Sequence, residues 1–140
     1  MKHTPSLRIA LLLTMVLASG CATVRAPEPP PASHNTAVLA LLDTAHADLE
    51  NGRFAAATAA LERALRIEPR NPVLWQELAR AHLREGNYTQ AENFAARSNS
   101  WAGGNRALLA SNWQIIAEAR MARGDAAGAQ QALERAGQFR

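Results

Sequence analysis

Three glycines in this 140-residue chain each begin the same short phrase. Gly52-Arg53-Phe54-Ala55-Ala56-Ala57 is answered by Gly86-Asn87-Tyr88-Thr89-Gln90-Ala91 and by Gly124-Asp125-Ala126-Ala127-Gly128-Ala129. Leu61 and Ala64, Ala95 and Ser98, and Leu133 and Ala136 then fall in register downstream, as do Leu41, Trp75 and Trp113 upstream. The first two glycines lie 34 residues apart and the next two 38 apart. A period of that length holds two helical segments and their turns. One such unit cannot bury its own apolar face, so units must stack, and about three are needed for a stable array. The register commits the chain from Val38 onward to an all-α stack of three units, about six helices, and leaves the N-terminal residues outside it.

The side chains support the same units. Trp75, Leu78, Ala79 and His82 keep the i, i+3, i+4, i+7 spacing of one helix face. Asn71 is placed to cap that helix, Pro72 suits its first turn, and Gly86 suits the left-handed residue that ends it. Ala79 and Ala91 are small enough for two antiparallel helices to approach closely, while Trp75 and Tyr88 fill the wider gaps. Ala55 to Ile67 reads as the second helix of the first unit, stopped by Pro69. Leu133 and Phe139 are expected to cover the open end of the stack. With Trp75, Leu78, Ala79, Gly86, Tyr88, Ala91 and Ala95 in the second unit, and their counterparts on either side, the chain resembles the tetratricopeptide repeat (TPR) family. The resemblance implies a helix-turn-helix solenoid with repeats over 38–71, 72–105 and 106–140.

The longer spacing inserts four residues within Ser98-Asn99-Ser100-Trp101-Ala102-Gly103-Gly104-Asn105. Gly103-Gly104 stops one helix and Asn105 is placed to cap the next, which runs from Arg106 to Arg123 and is about a turn longer than its counterparts. Trp101 stands outside the repeat pattern. Two readings are open for it: part of a partner-binding edge with the extended helix, or packing beneath Leu108 and Leu109.

The N-terminal end has the tripartite form of an export signal. Lys2, His3 and Arg8 form a basic region, and Ile9 to Leu17 an apolar run too short to span a bilayer, which takes roughly 20 apolar residues. Leu17-Ala18-Ser19-Gly20-Cys21 then holds the only cysteine in the chain. This end resembles the bacterial lipoprotein signal, which implies a signal peptide over 1–20, cleavage before Cys21 and acylation of its thiol and amino group. With Ala22 rather than Asp next, the resemblance further implies an outer-membrane destination, on the periplasmic face. Residues 21–37 read as the lipidated cysteine and a linker in which Pro27, Pro29, Pro30 and Pro31 favour polyproline II, reaching at most ~50 Å at ~3.1 Å per residue.

Loss of the signal leaves 13 arginines against 12 acidic residues and no lysine. A nearly neutral chain without a basic stripe does not fit a nucleic-acid partner, and the missing lysine excludes Schiff-base chemistry. With Cys21 acylated, no thiol remains for a disulfide, a nucleophile or a metal. His46 and His82 have no carboxylate or cysteine at ligand spacing, and Glu62-Arg63 and Glu134-Arg135 read as solvated surface. There is no Gly-x-Ser-x-Gly and no phosphate loop after a strand. The expectation is a protein that is not an enzyme and has no cofactor or metal beyond the covalent lipid.

TPR stacks bind protein segments along the face lined by the first helix of each unit. Carried over by position, the resemblance places Leu42, His46 and Leu49 there in unit one, Gln76, Arg80 and Arg84 in unit two, and Gln114, Glu118 and Met121 in unit three. Arg80 and Arg84, at i and i+4, point the same way and suit an acidic segment or a C-terminal carboxylate. The alternative is that they pair with Glu77 or Glu85. The run Leu61 to Asn71, with Leu74-Trp75, Ala91-Glu92 and Ser98-Asn99-Ser100, looks like the outer-membrane TPR lipoproteins that activate bifunctional penicillin-binding proteins. That implies a peptidoglycan synthase as partner, one that extends toward a domain on a short tether. A pilotin-like or outer-membrane assembly adaptor and a passive structural lipoprotein are the other readings.

Overall fold

The computed structural model describes residues 32–140. It contains α1 (Thr36–Glu50), α2 (Phe54–Ile67), α3 (Pro72–Glu85), α4 (Tyr88–Trp101), α5 (Arg106–Ala122) and α6 (Ala126–Gly137), and no strand among the described residues. The helices pair as α1–α2, α3–α4 and α5–α6 and stack in chain order, the three-repeat array that the glycine register predicts. Cys21, the signal and most of the linker lie outside the described residues. No described helix is long and apolar enough to cross a membrane.

Local chemistry sets the helix ends. Asn35, Asn71 and Asn105 cap α1, α3 and α5, each Oδ1 accepting backbone N–H groups of the first turn. Gly86 ends α3 with φ at +88°, a left-handed conformation that lets its N–H and that of Asn87 return to the carbonyls of Leu83 and His82. α5 has 17 residues against 14 in α3, in keeping with the inserted segment. The array begins earlier than Val38. Ser33 Oγ donates to Glu68 Oε1 at 2.6 Å, and Asn71 Nδ2 donates to the Ala32 carbonyl at 2.7 Å. Residues 32–35 are thereby fastened to the turn between α2 and α3.

Two apolar clusters hold the stack. Val38, Leu42, Leu49, Leu61, Leu65, Leu74 and Leu78 form one across α1, α2 and α3. Ala79, Ala91, Ala95, Ile115, Ile116, Ala119 and Ala132 form the other across α3 to α6. Each fully buried Leu or Ile contributes about 1.5–3 kcal/mol relative to an exposed one. Phe94 joins the clusters: its ring lies 5.8 Å from Trp75 and 5.2 Å from His82. Trp75 Nε1 donates to the Pro69 carbonyl at 2.9 Å, tying the helix stop to the next unit. The C-terminal end departs from expectation. Leu133 does not cover the stack but is 45% exposed, and Phe139 is half-buried in the turn after α6. Arg106, which donates to the carbonyls of Gln138 and Arg140, holds that turn instead.

Candidate functional site

α1 and α3 form a cleft lined by His46, Leu49, Glu50, Glu77, Arg80 and Arg84. Glu77 sits at its centre, with little of its side chain exposed. One carboxylate oxygen lies 3.2 Å from His46 Nε2 and the other 3.3 Å from Arg80 Nη1. Arg80 Nη2 also donates to Ser111 Oγ of α5 at 3.0 Å, so a single guanidinium spans units two and three. Arg84 pairs with neither Glu77 nor Glu85. It donates to the Leu49 carbonyl near the end of α1 at 2.9 Å and lies over the Phe54 ring. A carbonyl at a helix C-terminus carries partial negative charge, so Arg84 is fixed without being neutralised. A guanidinium has five N–H donors and Arg84 spends one here among the described residues, which makes it a positioned cation with donors to spare at an exposed rim.

Three expected groove positions are buried. Leu42 and Leu49 are buried in the first cluster. Gln76 is buried as well: its Nε2 donates to Asn112 Oδ1 at 2.8 Å, so it presents nothing to the groove. The reason is one of register. Leu42 and Gln76 occupy equivalent positions, and that side of a first helix faces the following repeat rather than the concave surface. Gln114, Glu118 and Met121 are exposed, but they line a second cleft with Ala117, Ala122, Ala129 and Leu133 of α5 and α6. The structure thus brings His46, Arg80 and Arg84 together and puts Gln114 and Glu118 elsewhere.

His46 and His82 each have a carboxylate nearby: Glu77 of the next repeat for His46, and Glu85, three residues on in the same helix, at 3.5 Å for His82, a spacing that sequence reading passed over. These are pairs only. Among the described residues no three His, Cys, Asp or Glu side chains group as metal ligands do. Trp101 is too exposed to be packed beneath Leu108 and Leu109, and its position accommodates the edge reading. It ends α4 at 39% exposure with the Arg70 guanidinium 5.2 Å from its ring centroid, an edge residue that is capped rather than sealed.

The feature that sequence reasoning missed is a polar chain through the core. Asn112 Nδ2 donates to Ser98 Oγ at 2.7 Å and to Asn99 Oδ1 at 2.9 Å, and Ser98 Oγ donates to the Pro72 carbonyl at 2.7 Å. Its signal was present: Asn112 stands in register with Leu74, and Gln76 with Leu42, so two polar residues occupy positions that are apolar one repeat earlier.

Residues 48–111 match a tetratricopeptide repeat family model. The solved globular C-terminal domain of P. aeruginosa LpoP is 43% identical to this chain, covers 75% of it and 99% of that domain, and superposes with a TM-score of 0.73. No curated protein sequence matches.

Proposed function

The chain belongs to the tetratricopeptide-repeat family, and from its likeness to the LpoP domain we propose that it is a non-enzymatic lipoprotein that binds and activates a bifunctional penicillin-binding protein. Acyl chains on Cys21 would anchor it in the outer membrane, with the repeat domain in the periplasm. The observation that carries this reading is the 43% identity to LpoP sustained over 99% of its globular domain. At that level the likeness extends beyond the repeat consensus that any TPR protein shares. The sequence resemblance to activator lipoproteins points the same way.

The cleft supplies the contact. Arg84, held by the Leu49 carbonyl, and Arg80, held between Glu77 and Ser111, are fixed before a partner arrives, which lowers the ordering cost of binding. They suit an acidic loop or a chain-terminal carboxylate on the synthase. The test is reconstitution: the chain from Ala22 onward is added to the bifunctional penicillin-binding protein of the same cell during glycan polymerisation. Polymerisation should rise with the native chain and not with Arg80→Glu/Arg84→Glu, whose helix content should be unchanged. Absence of stimulation, with capture of a secretin or barrel protein by crosslinking from Arg84, would favour the assembly-adaptor reading instead.

A further inference from the structure

The third repeat ends the described stack, yet its outer face is built like an interior one. In the first repeat, Leu42, Leu49 and Leu61 are closed over by α3, with Leu49 4% and Leu61 0% exposed. In the second, the equivalent Gln76, Leu83 and Ala95 lie beneath α5, with Gln76 5% and Ala95 0% exposed. In the third they are Gln114, Met121 and Leu133, with Met121 54% and Leu133 45% exposed. Leu133 is larger than the Ala95 it corresponds to.

The other end of the stack is finished differently. Ala40, Thr44 and Ala47 of α1 stand where α3 buries Leu74, Leu78 and Ala81 and where α5 buries Asn112, Ile116 and Ala119. All three are exposed, and all are small or polar. Terminal repeats of a solenoid need a polar outer face for solubility. On the first repeat, Ile67 of α2 is the one large apolar side chain this exposed, at 44%, beside Arg63 and Arg66; on the third, Met121 and Leu133 are both exposed, beside Gln114 and Glu118.

We propose that the α5–α6 outer face is a docking site for one amphipathic α-helix of a protein partner, seated as α5 is seated on α3 and α4, with a basic side chain opposite Glu118. The α5 interface supplies the template, because the exposed face is its direct continuation one repeat on. There Gln76 meets Asn112, and Arg80 meets Ser111. One repeat later, Gln114 repeats Gln76 and so requires an amide or hydroxyl at the position of Asn112. Glu118 replaces Arg80 with the opposite charge, so the residue at the position of Ser111 should be Arg or Lys. Below these two the incoming helix needs apolar or small side chains at the positions of Ile115, Ile116 and Ala119, to cover Met121 and Leu133. A second copy of this chain is a poor occupant. Stacked head to tail, its α1 would set Ala40 against Gln114 and Leu39 against Glu118, leaving both polar groups unmet.

The inference rests on the fold and not on the identity of the synthase proposed above. The probe is a stapled helical peptide copying residues 105–123 with Ser111→Arg, titrated into the isotope-labelled chain from Ala22 onward. NMR shifts should be confined to α5 and α6. The Ser111→Glu form of the peptide should bind about two- to fivefold more weakly, the range expected for one exposed ion pair. Glu118→Arg in the protein should invert that order, and Met121→Lys/Leu133→Lys should abolish binding while leaving the thermal midpoint unchanged, since both side chains are exposed. Shifts in the His46–Arg84 cleft, or none at millimolar peptide, would overturn the proposal. So would self-association in sedimentation that Leu133→Lys removes, which assigns the face to a second copy.

Discussion

The carboxamide of Gln76 donates to Asn112 Oδ1 across 2.8 Å, joining first helices of successive repeats with both side chains buried. Asn112 is fully enclosed and fixes two further partners, Ser98 and Asn99. A buried polar chain of this kind is stable only while every member is satisfied. Asn112→Ala removes three hydrogen bonds and strands the Gln76 amide, so it should destabilise the domain by about 2–3 kcal/mol. At roughly 4–8 °C per kcal/mol for a domain of this size, the loss reads directly as a lower thermal midpoint. Gln76→Leu/Asn112→Leu should recover much of it, because removing both partners costs far less than stranding one. If the double variant is as unstable as Asn112→Ala, the polar chain is not what holds α3 to α5.

Thr58 makes the opposite case. Its Oγ1 is buried on α2 and has no hydrogen-bond partner among the described residues. A buried hydroxyl left unmet costs about 1–3 kcal/mol on mutational scales. Thr58→Val keeps the shape and removes the hydroxyl, so it should raise stability by about 1 kcal/mol in urea unfolding with an unchanged slope. A lower midpoint would show that the hydroxyl is satisfied in solution.

Trp101 and Arg70 join the α4 end to the turn after α2. In a Trp75→Phe/Trp113→Phe background, Trp101 should emit as a partly exposed indole and be accessible to a neutral quencher. Arg70→Ala should increase that access, and should cost no more than about 1 kcal/mol, the usual worth of an exposed cation–π contact. A blue-shifted, protected emission would place the ring inside the stack.

The stack and most of its helix ends were legible because they rest on local signals: a glycine register, an asparagine before α3 and before α5, and a proline after α2. The groove was less legible. Carrying family positions onto the chain identifies which residues lie on first helices, but not which side of each helix faces the next repeat. Gln76 therefore looked available although Asn112 holds it. Arg84 was found, but its partner, the Leu49 carbonyl, is a backbone group 35 residues away that no side-chain pattern signals. The same limit hid the contact of Asn71 with Ala32. Asn71 reads as a cap, and it is one, but its Nδ2 also fastens the start of the domain.

That contact bears on reach. Residues 32–35 are held by Glu68 and Asn71, so on the proposed lipid-anchored reading the tether is residues 22–31 at most, about 30 Å if fully extended at ~3.1 Å per residue. If the proposed function holds, a synthase in the opposite membrane has to meet the domain near the anchor, and tether length is the limiting variable. Inserting a further proline-rich stretch after Pro31 should raise activation in cells, and deleting residues 27–31 should reduce it. Ser33→Ala/Glu68→Ala removes one of these two ties while Asn71 still holds the Ala32 carbonyl, so it should raise activation less than the insertion does, with little effect on the thermal midpoint. None of these changes should alter activation by the unanchored chain in solution, where reach plays no part. Equal responses in the two assays would show that the changes act on the fold, and that tether length does not govern contact with the synthase.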